Sequence, residues 1–192
     1  MNTKSIMIVG VGGQGTLLAS RLLGSVLVQQ GYDVKVSEVH GMSQRGGSVV
    51  TYVRYGDRVY SPIVDRGEAD YILSFELLEA ARWIAYLRNG GTLITNTHET
   101  APMPVITGAA EYPTGIVEKL SKTADVFAVD ALPVAQKAGN AKAVNVVLIG
   151  VLSSIMDIPE ETWLEAIRTT VPAKFLDVNI KAFKLGREIK QV

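Results

Sequence analysis

The fold is decided by residues 5–31, which read "SIMIVGVGGQGTLLASRLLGSVLVQQG" and change character at a cluster of glycines. Residues 5–9 are a short apolar run with β-branched side chains that stops at Gly10, a pattern typical of a buried strand. Over residues 17–30 the leucines and valines recur at helical spacing, and Gly31 follows at the place of a left-handed C-cap. The stretch therefore predicts a strand, a glycine loop and a helix, in that order.

The rest of the sequence continues the alternation of strands and helices. Residues 33–39 alternate between apolar and polar side chains, so they predict a second strand that completes a βαβ unit. Residues 47–64 are rich in valine and tyrosine with Gly56-Asp57 in the middle, which predicts an antiparallel hairpin. Further strands are predicted over residues 69–75, 91–96, 104–107 and 124–131, and further helices over residues 77–88, 115–122, 143–156, 159–172 and 179–190.

Together these elements predict an α/β fold in three layers. The expected architecture is a mostly parallel, Rossmann-like sheet with an antiparallel hairpin insertion and helices on both faces. Neither a repeat nor a linker interrupts the sequence. We therefore expect a single domain spanning residues 1–192.

The composition is that of a packed globular protein without a charge preference for one class of partner. Of the 192 residues, 47% are hydrophobic and 20% are charged. Lys and Arg together number 19, as do Asp and Glu, so the formal net charge is +0. The chain lacks the basic surface expected of a protein that binds nucleic acid or an anionic membrane. A neutral surface also favours self-association, so the isolated chain is expected to be capable of forming a homodimer.

The chain contains no cysteine and only 2 histidines. The first fact excludes disulfides and cysteine-held iron–sulfur or zinc sites within this chain, and no residue is assigned to a metal. The N-terminal residues lack the long apolar core of a secretory signal. The longest apolar run, within residues 143–156, is too short and too interrupted to span a bilayer. We therefore expect a cytoplasmic protein.

The first candidate binding element is the loop "GVGGQG" over residues 10–15. Glycines allow a tight turn and close approach of a ligand, and the following helix offers unpaired N–H groups and a partial positive charge. Both features favour a phosphate or carboxylate group. The candidate ligand-binding residues of this loop are Gly10, Gly12, Gly13, Gln14 and Gly15.

Two other interpretations of this loop stay open at the level of the motif. Gly10, Gly12 and Gly15 satisfy the G-x-G-x-x-G pattern of dinucleotide-binding proteins, and Glu38 lies near the place of the acid that binds the ribose. The loop would then hold NAD or FAD. Alternatively, the glycines only make a tight turn between strand and helix.

The second candidate element is "HGMSQRGG" over residues 40–47, which fits neither a strand nor a helix. Arg45 can bind a phosphate or carboxylate with its planar fork, and His40 can donate, accept or titrate near neutral pH. Gln44 adds an amide, and Gly46 and Gly47 allow a backbone to approach closely. Because the segment follows the second strand, we expect it beside the glycine loop at the carboxyl edge of the sheet.

Three further polar residues are weaker candidates. His98 and Glu99 follow a predicted strand and can line a crevice. Asn145 lies in an apolar helix, where a satisfied buried amide is the commoner finding than a catalyst. The sequence has no nucleophile elbow and no Walker lysine, and no catalytic residue is assigned.

Several stretches together resemble a known family along nearly the whole chain. They include "IVGVGGQGTLLASRLLG", "SEVHGMSQRGGSVVTYVRYG", "SPIVDRGEADYILSFELLEAAR" and "AVNVVLIGVL". In this order they are similar to the small (beta) subunits of indolepyruvate ferredoxin oxidoreductases. More broadly, they resemble the gamma-type domain of the 2-oxoacid:ferredoxin oxidoreductases.

The resemblance implies a reaction and a division of labour. An arylpyruvate, coenzyme A and oxidised ferredoxin would give an aryl-acetyl-CoA, carbon dioxide and reduced ferredoxin. Thiamine diphosphate and iron–sulfur clusters would lie on a larger partner subunit, with no cofactor tightly bound in this chain. Coenzyme A would be a co-substrate, and its phosphate groups are candidates for the anion at the glycine loop. Arg45 would contact either that ligand or the partner subunit.

Two alternatives remain beside this interpretation. One is a stand-alone Rossmann-type enzyme that binds NAD(P) or a flavin, which a flavin colour or a cofactor-dependent melting temperature would reveal. The other is a regulatory module that binds an anion or a nucleotide without catalysis.

Overall fold

The computed structural model of the protein describes residues 3–38 and 46–191. Within these ranges the strands are Lys4–Val11 (β1), Asp33–Glu38 (β2), Ser48–Gly56 (β3), Ala69–Ser74 (β4), Leu87–Asn96 (β5) and Asp125–Val129 (β6). They form a six-stranded sheet in the order β2-β3-β1-β4-β5-β6. Neighbours among β1, β4, β5 and β6 are parallel, whereas β3 is antiparallel to both β1 and β2.

Helices cover both faces of this sheet. In the described ranges they are Thr16–Gln29 (α1), Leu77–Trp83 (α2), Met103–Ile106 (α3), Ile116–Leu120 (α4), Ala131–Ala138 (α5), Val144–Ile155 (α6), Glu160–Thr170 (α7) and Leu176–Arg187 (α8). One core joins the sheet to α1, α5, α6, α7 and α8, and the other joins it to α2 and α4. The predicted three-layer α/β fold with antiparallel strands beside parallel ones is confirmed.

The central strand β1 shows why the sheet is buried on both sides. Ile6 and Ile8 point into the first core, and Met7 and Val9 point into the second. All four side chains are fully buried, at 0% exposure. Alternate side chains of a strand point to opposite faces, so an uninterrupted apolar run is what a strand between two helical layers requires.

The antiparallel pairing involves different residues from those predicted. β3 pairs with β2 on one side and with β1 on the other, so the hairpin joins β2 to β3. The predicted second hairpin strand, after Gly56, is wrong, because the chain forms no strand again until Ala69. Val59 and Val64 in this connection are buried instead. The predicted βαβ unit also differs from the structure in its strand pairing. Strands β1 and β2 are not neighbours, because β3 lies between them.

Two other local predictions are wrong. Residues 104–107, predicted as a strand, overlap α3, where Pro104 fits the first turn because its missing N–H is not needed there. The helix predicted to end at Arg88 ends at Trp83 and continues only as a 3₁₀ turn over Ile84–Tyr86. The Asn89-Gly90 pair lies inside β5, beside an irregular register with β4.

Helix α5 was not predicted, and α8 begins at Leu176 rather than residue 179. A signal for α5 exists in the sequence, since Gly139 ends the helix with a φ of 118°. The apolar helix α6 was predicted, and nine of its residues are buried. No helix in the described part of the chain is both long enough and apolar enough to cross a membrane.

Candidate functional site

The glycine loop lies at the carboxyl end of β1 and leads directly into α1. Gly13 and Gly15 have φ angles of 100° and 86°, a region that side chains other than glycine rarely adopt. The Gln14 side chain folds back, and its Oε1 accepts a hydrogen bond from Val11 N at 2.8 Å. Within the described residues, α1 has neither a side-chain cap at its N-terminus nor an acid in its first turn. Its N-terminal N–H groups can therefore face an anion.

Packing constrains two of these glycines further. A Cβ atom on Gly10 would lie 2.7 Å from Gln14 Oε1 and 3.1 Å from Phe75 Cβ. A Cβ atom on Gly15 would lie 2.4 Å from Asn145 Nδ2. That amide donates a hydrogen bond to Gly15 O at 3.2 Å and is buried, as predicted for Asn145. The loop is therefore fixed by close contacts with α6 and with the end of β4.

The two candidate segments meet where the structure describes both. Gly12 N donates a hydrogen bond to Gly47 O at 2.8 Å. Gly46 has a φ of 90°. The predicted proximity of the segments is thus confirmed for Gly47. The other three candidate residues of the second segment, His40, Gln44 and Arg45, lie outside the described residues.

A crevice of about 480 Å³ opens beside the glycine loop at the carboxyl edge of the sheet. It is lined by Gly13, Gln14, Gly15, Phe75, Asn96, His98, Leu132, Ala141, Lys142 and Val144. Lys142 supplies a positive charge, and His98 supplies an imidazole ring. The prediction that His98 lines a crevice is confirmed, whereas Glu99 does not line this crevice; both side chains are exposed.

Sequence reasoning missed Lys142 and Asn96. Lys142 precedes α6 in a 3₁₀ turn over Ala141–Ala143, and no local pattern links it to the glycine loop. The buried Asn96 ends β5. Its Nδ2 donates to Phe75 O at 3.3 Å, and its Oδ1 accepts from Ala131 N at 3.2 Å. Asn96 therefore holds the ends of two strands and the start of α5 around the crevice.

A smaller crevice of about 180 Å³ lies on the other side of the loop, between Gly46–Gly47 and α2. One of its buried acids, Glu76, caps α2 by accepting from Glu79 N at 2.8 Å. The other oxygen of Glu76 accepts from Thr100 N at 2.9 Å and from the Tyr112 hydroxyl at 2.8 Å. Burial and the bond to Glu76 both raise the pKa of Tyr112, so its phenol stays protonated.

Glu38 does not occupy the position of a ribose-binding acid. It ends β2, and β3 separates β2 from β1. Two strand spacings, about 10 Å, therefore lie between Glu38 and the strand that carries the glycine loop. Its carboxylate accepts a hydrogen bond from the Ser20 hydroxyl of α1. Over residues 3–38 and 46–191, no group of three or more His, Cys, Asp or Glu side chains is placed to hold a metal ion.

Comparison with known proteins agrees with this architecture. The family model described as pyruvate ferredoxin/flavodoxin oxidoreductase matches residues 5–189. The indolepyruvate oxidoreductase subunit IorB of Thermococcus kodakarensis is 48% identical, over 97% of this chain and 95% of that protein. The subunit of the same name from Pyrococcus horikoshii is 47% identical over the same shares.

A solved structure shows the same fold at low sequence identity. The gamma subunit of a keto/oxoacid ferredoxin oxidoreductase from Geobacter sulfurreducens superposes with a TM-score of 0.72 at 22% identity, covering 96% of both chains. The extent of the family match and the identity to full-length relatives decide the assignment. The chain belongs to the pyruvate ferredoxin/flavodoxin oxidoreductase family and is a subunit of an oxidoreductase.

Proposed function

We propose that this chain is the small subunit of a complex that oxidatively decarboxylates arylpyruvates, indolepyruvate among them. One arylpyruvate anion, one coenzyme A thiol and two oxidised ferredoxins give aryl-acetyl-CoA, carbon dioxide, two reduced ferredoxins and one proton. The bond between the keto carbon and the carboxylate carbon breaks. A thioester bond forms between the keto carbon and the sulfur of coenzyme A. The two electrons released pass singly to the ferredoxins.

The observation that carries this proposal is the 48% identity to an indolepyruvate oxidoreductase subunit over 97% of this chain. We include coenzyme A and ferredoxin because the sequence motifs resemble those of the 2-oxoacid:ferredoxin oxidoreductases, and this resemblance implies both molecules. The absence of cysteine excludes cysteine-held iron–sulfur clusters from the chain itself. We therefore assign the clusters to a larger partner subunit, and we assign thiamine diphosphate to the same subunit because the family resemblance implies it. In this proposal, residues 1–192 form one domain of a cytoplasmic complex.

The part of the reaction assigned to this chain is binding rather than chemistry. The loop over residues 10–15 offers N–H groups at the start of α1, and Lys142 adds a positive charge to the same crevice. A phosphate group of coenzyme A meets both requirements. His40, Gln44 and Arg45 would extend this anion site or contact the partner. Thiamine diphosphate, when bound to the partner, supplies the carbanion chemistry.

Co-expression with a larger, cysteine-rich subunit tests the proposal. We expect a stable complex that reduces ferredoxin only when arylpyruvate and coenzyme A are both present. The chain alone should be inactive and should contain neither iron nor thiamine diphosphate. A flavin absorption band, or a melting temperature that rises with NAD in the isolated chain, would instead support the stand-alone enzyme. Activity that does not require this chain would contradict its role as a subunit.

Arg45→Ala is expected to weaken binding of the anion that Arg45 contacts by about tenfold to a hundredfold. A charge-assisted hydrogen bond contributes roughly 1.5–3 kcal/mol, which corresponds to that range. Arg45→Lys keeps the charge but loses the planar fork, so it should restore binding only in part. The measurements are the KM for coenzyme A and the affinity between subunits, each in the assembled complex.

The two constants separate the possible contacts of Arg45. A higher KM with intact subunit affinity identifies coenzyme A, and a weaker complex identifies the partner subunit. Arg58→Ala is the matched control, because Arg58 follows the opposite end of β3 and lies over the Tyr60 ring at 4.9 Å. If Arg45→Ala and Arg58→Ala have the same effect on the KM for coenzyme A and on the affinity between subunits, Arg45 contacts neither coenzyme A nor the partner subunit.

A further inference from the structure

Glu79, in the first turn of α2, is a buried acid surrounded by hydrogen-bond donors. Its side chain is 5% exposed, and its Oε1 lies 3.2 Å from Arg82 Nε. Its Oε2 accepts hydrogen bonds from the Ser48 hydroxyl and, at 3.3 Å, from the Trp83 indole. Burial of a carboxylate is costly unless the charge is paired and hydrogen-bonded in this way. Removing one donor therefore removes the contact between the carboxylate and the residue that carried this donor.

One of the three donors connects Glu79 to the glycine loop. Ser48 is the first residue of β3, where the chain enters the sheet. The carbonyl of the preceding residue, Gly47, accepts the hydrogen bond from Gly12 N at 2.8 Å. Glu79 therefore fixes the residue next to Gly47, and Gly47 fixes the loop at Gly12.

The other two donors make no such connection. Arg82 and Trp83 belong to α2, the same helix as Glu79. Their contacts with the carboxylate stabilise α2 and balance its charge, but they do not reach β3. The same acid thus has one contact toward the glycine loop and two contacts within its own helix, which makes the two kinds of contact separable by mutation.

We propose that Glu79 is a positioning residue for the glycine loop, acting through Ser48 and Gly47 on Gly12. The carboxylate holds the start of β3 against α2, and this sets the spacing between the loop and the segment that ends at Gly47. Ser48 is itself exposed, so loss of its hydroxyl bond to Glu79 would leave this end of β3 held by the strand pairing and by the buried Val49. Ends of strands open more readily than their centres, so the bond to Gly12 would open with it.

Hydrogen exchange of the Gly12 amide tests this inference in the purified full chain, independently of any activity. Ser48→Ala removes the donor that leads to the loop, and we expect exchange at Gly12 to become about tenfold faster, or ~1.4 kcal/mol. Ser48→Thr keeps the hydroxyl and should retain the original rate. Trp83→Phe removes the other donor to the same oxygen, so it should lower the melting temperature without changing exchange at Gly12. Equal exchange in Ser48→Ala and Trp83→Phe, whether fast or slow, would overturn the proposal.

A second measurement extends the inference to ligand binding and rests on the proposed function. In the assembled complex, Ser48→Ala should raise the KM for coenzyme A severalfold while lowering kcat less, and Ser48→Thr should restore the KM. Faster exchange at Gly12 with an unchanged KM would support the positioning role of Glu79. The same result would show that coenzyme A does not bind at the glycine loop. An unchanged exchange rate overturns the positioning role whatever the KM does.

Discussion

Gly150→Ala is expected to lower the free energy of unfolding by about 3 kcal/mol, because it forces α6 away from α8. A Cβ atom on Gly150 would lie 2.2 Å from Phe183 O and 2.9 Å from Arg187 N. Both atoms belong to the backbone of α8, so no side-chain rotation can relieve the contact. The same crossing excludes a side chain on Gly186, whose Cβ would lie 2.1 Å from Val147 O.

Gly24→Ala is the matched control for this prediction. Gly24 also lies inside a helix, α1, but a Cβ atom there would meet nothing within 4 Å. Replacing a helical glycine with alanine in open space should raise the free energy of unfolding by about 0.5–1 kcal/mol. Denaturant unfolding of the purified chain measures both variants. Equal effects of the two substitutions would show that the α6–α8 crossing is not close-packed.

Gly15→Ala is expected to be the most damaging single-methyl change in the glycine loop. The φ of 86° at Gly15 costs a side chain roughly 1–2 kcal/mol, and the contact at 2.4 Å with Asn145 Nδ2 adds to this. We expect a loss of about 2–4 kcal/mol in the free energy of unfolding. In the assembled complex, the KM for coenzyme A should rise by about tenfold or more, since α1 can no longer start at the same place.

Gly13→Ala separates backbone strain from the contact with Asn145. Gly13 has a φ of 100°, but a Cβ atom there would meet nothing within 4 Å. Its cost should therefore be the backbone strain alone, about 1–2 kcal/mol. Adding Asn145→Ala to Gly15→Ala should cost less than the sum of the two single changes, because the residues are in direct contact. Additive effects, or equal effects of Gly13→Ala and Gly15→Ala, would contradict the close contact.

Part of the candidate site could be predicted because its signals are local. The glycines over residues 10–15 lie between an apolar strand and an apolar helix, so the turn and the exposed helix N-terminus follow from neighbouring residues. The contacts that hold this loop are not local. Asn145, which bonds to Gly15 O, comes from α6, and Lys142, which lines the same crevice, comes from the turn before it. Glu79, which bonds to Ser48, comes from α2, and no spacing in the sequence relates these three residues to the loop.

The sequence by itself determined the alternation of strands and helices, the burial of β1 and α6, and the absence of cysteine ligands. These properties depend on periodicity and composition, which are complete within a short window. Only the tertiary structure decided that β3 lies between β1 and β2, which moves Glu38 away from the glycine loop and places Gly47 against Gly12. The pattern of residues 48–56 suits a strand next to any partner, because strand pairing depends on backbone groups that every residue carries. Which strand it joins is settled by the packing of the whole sheet.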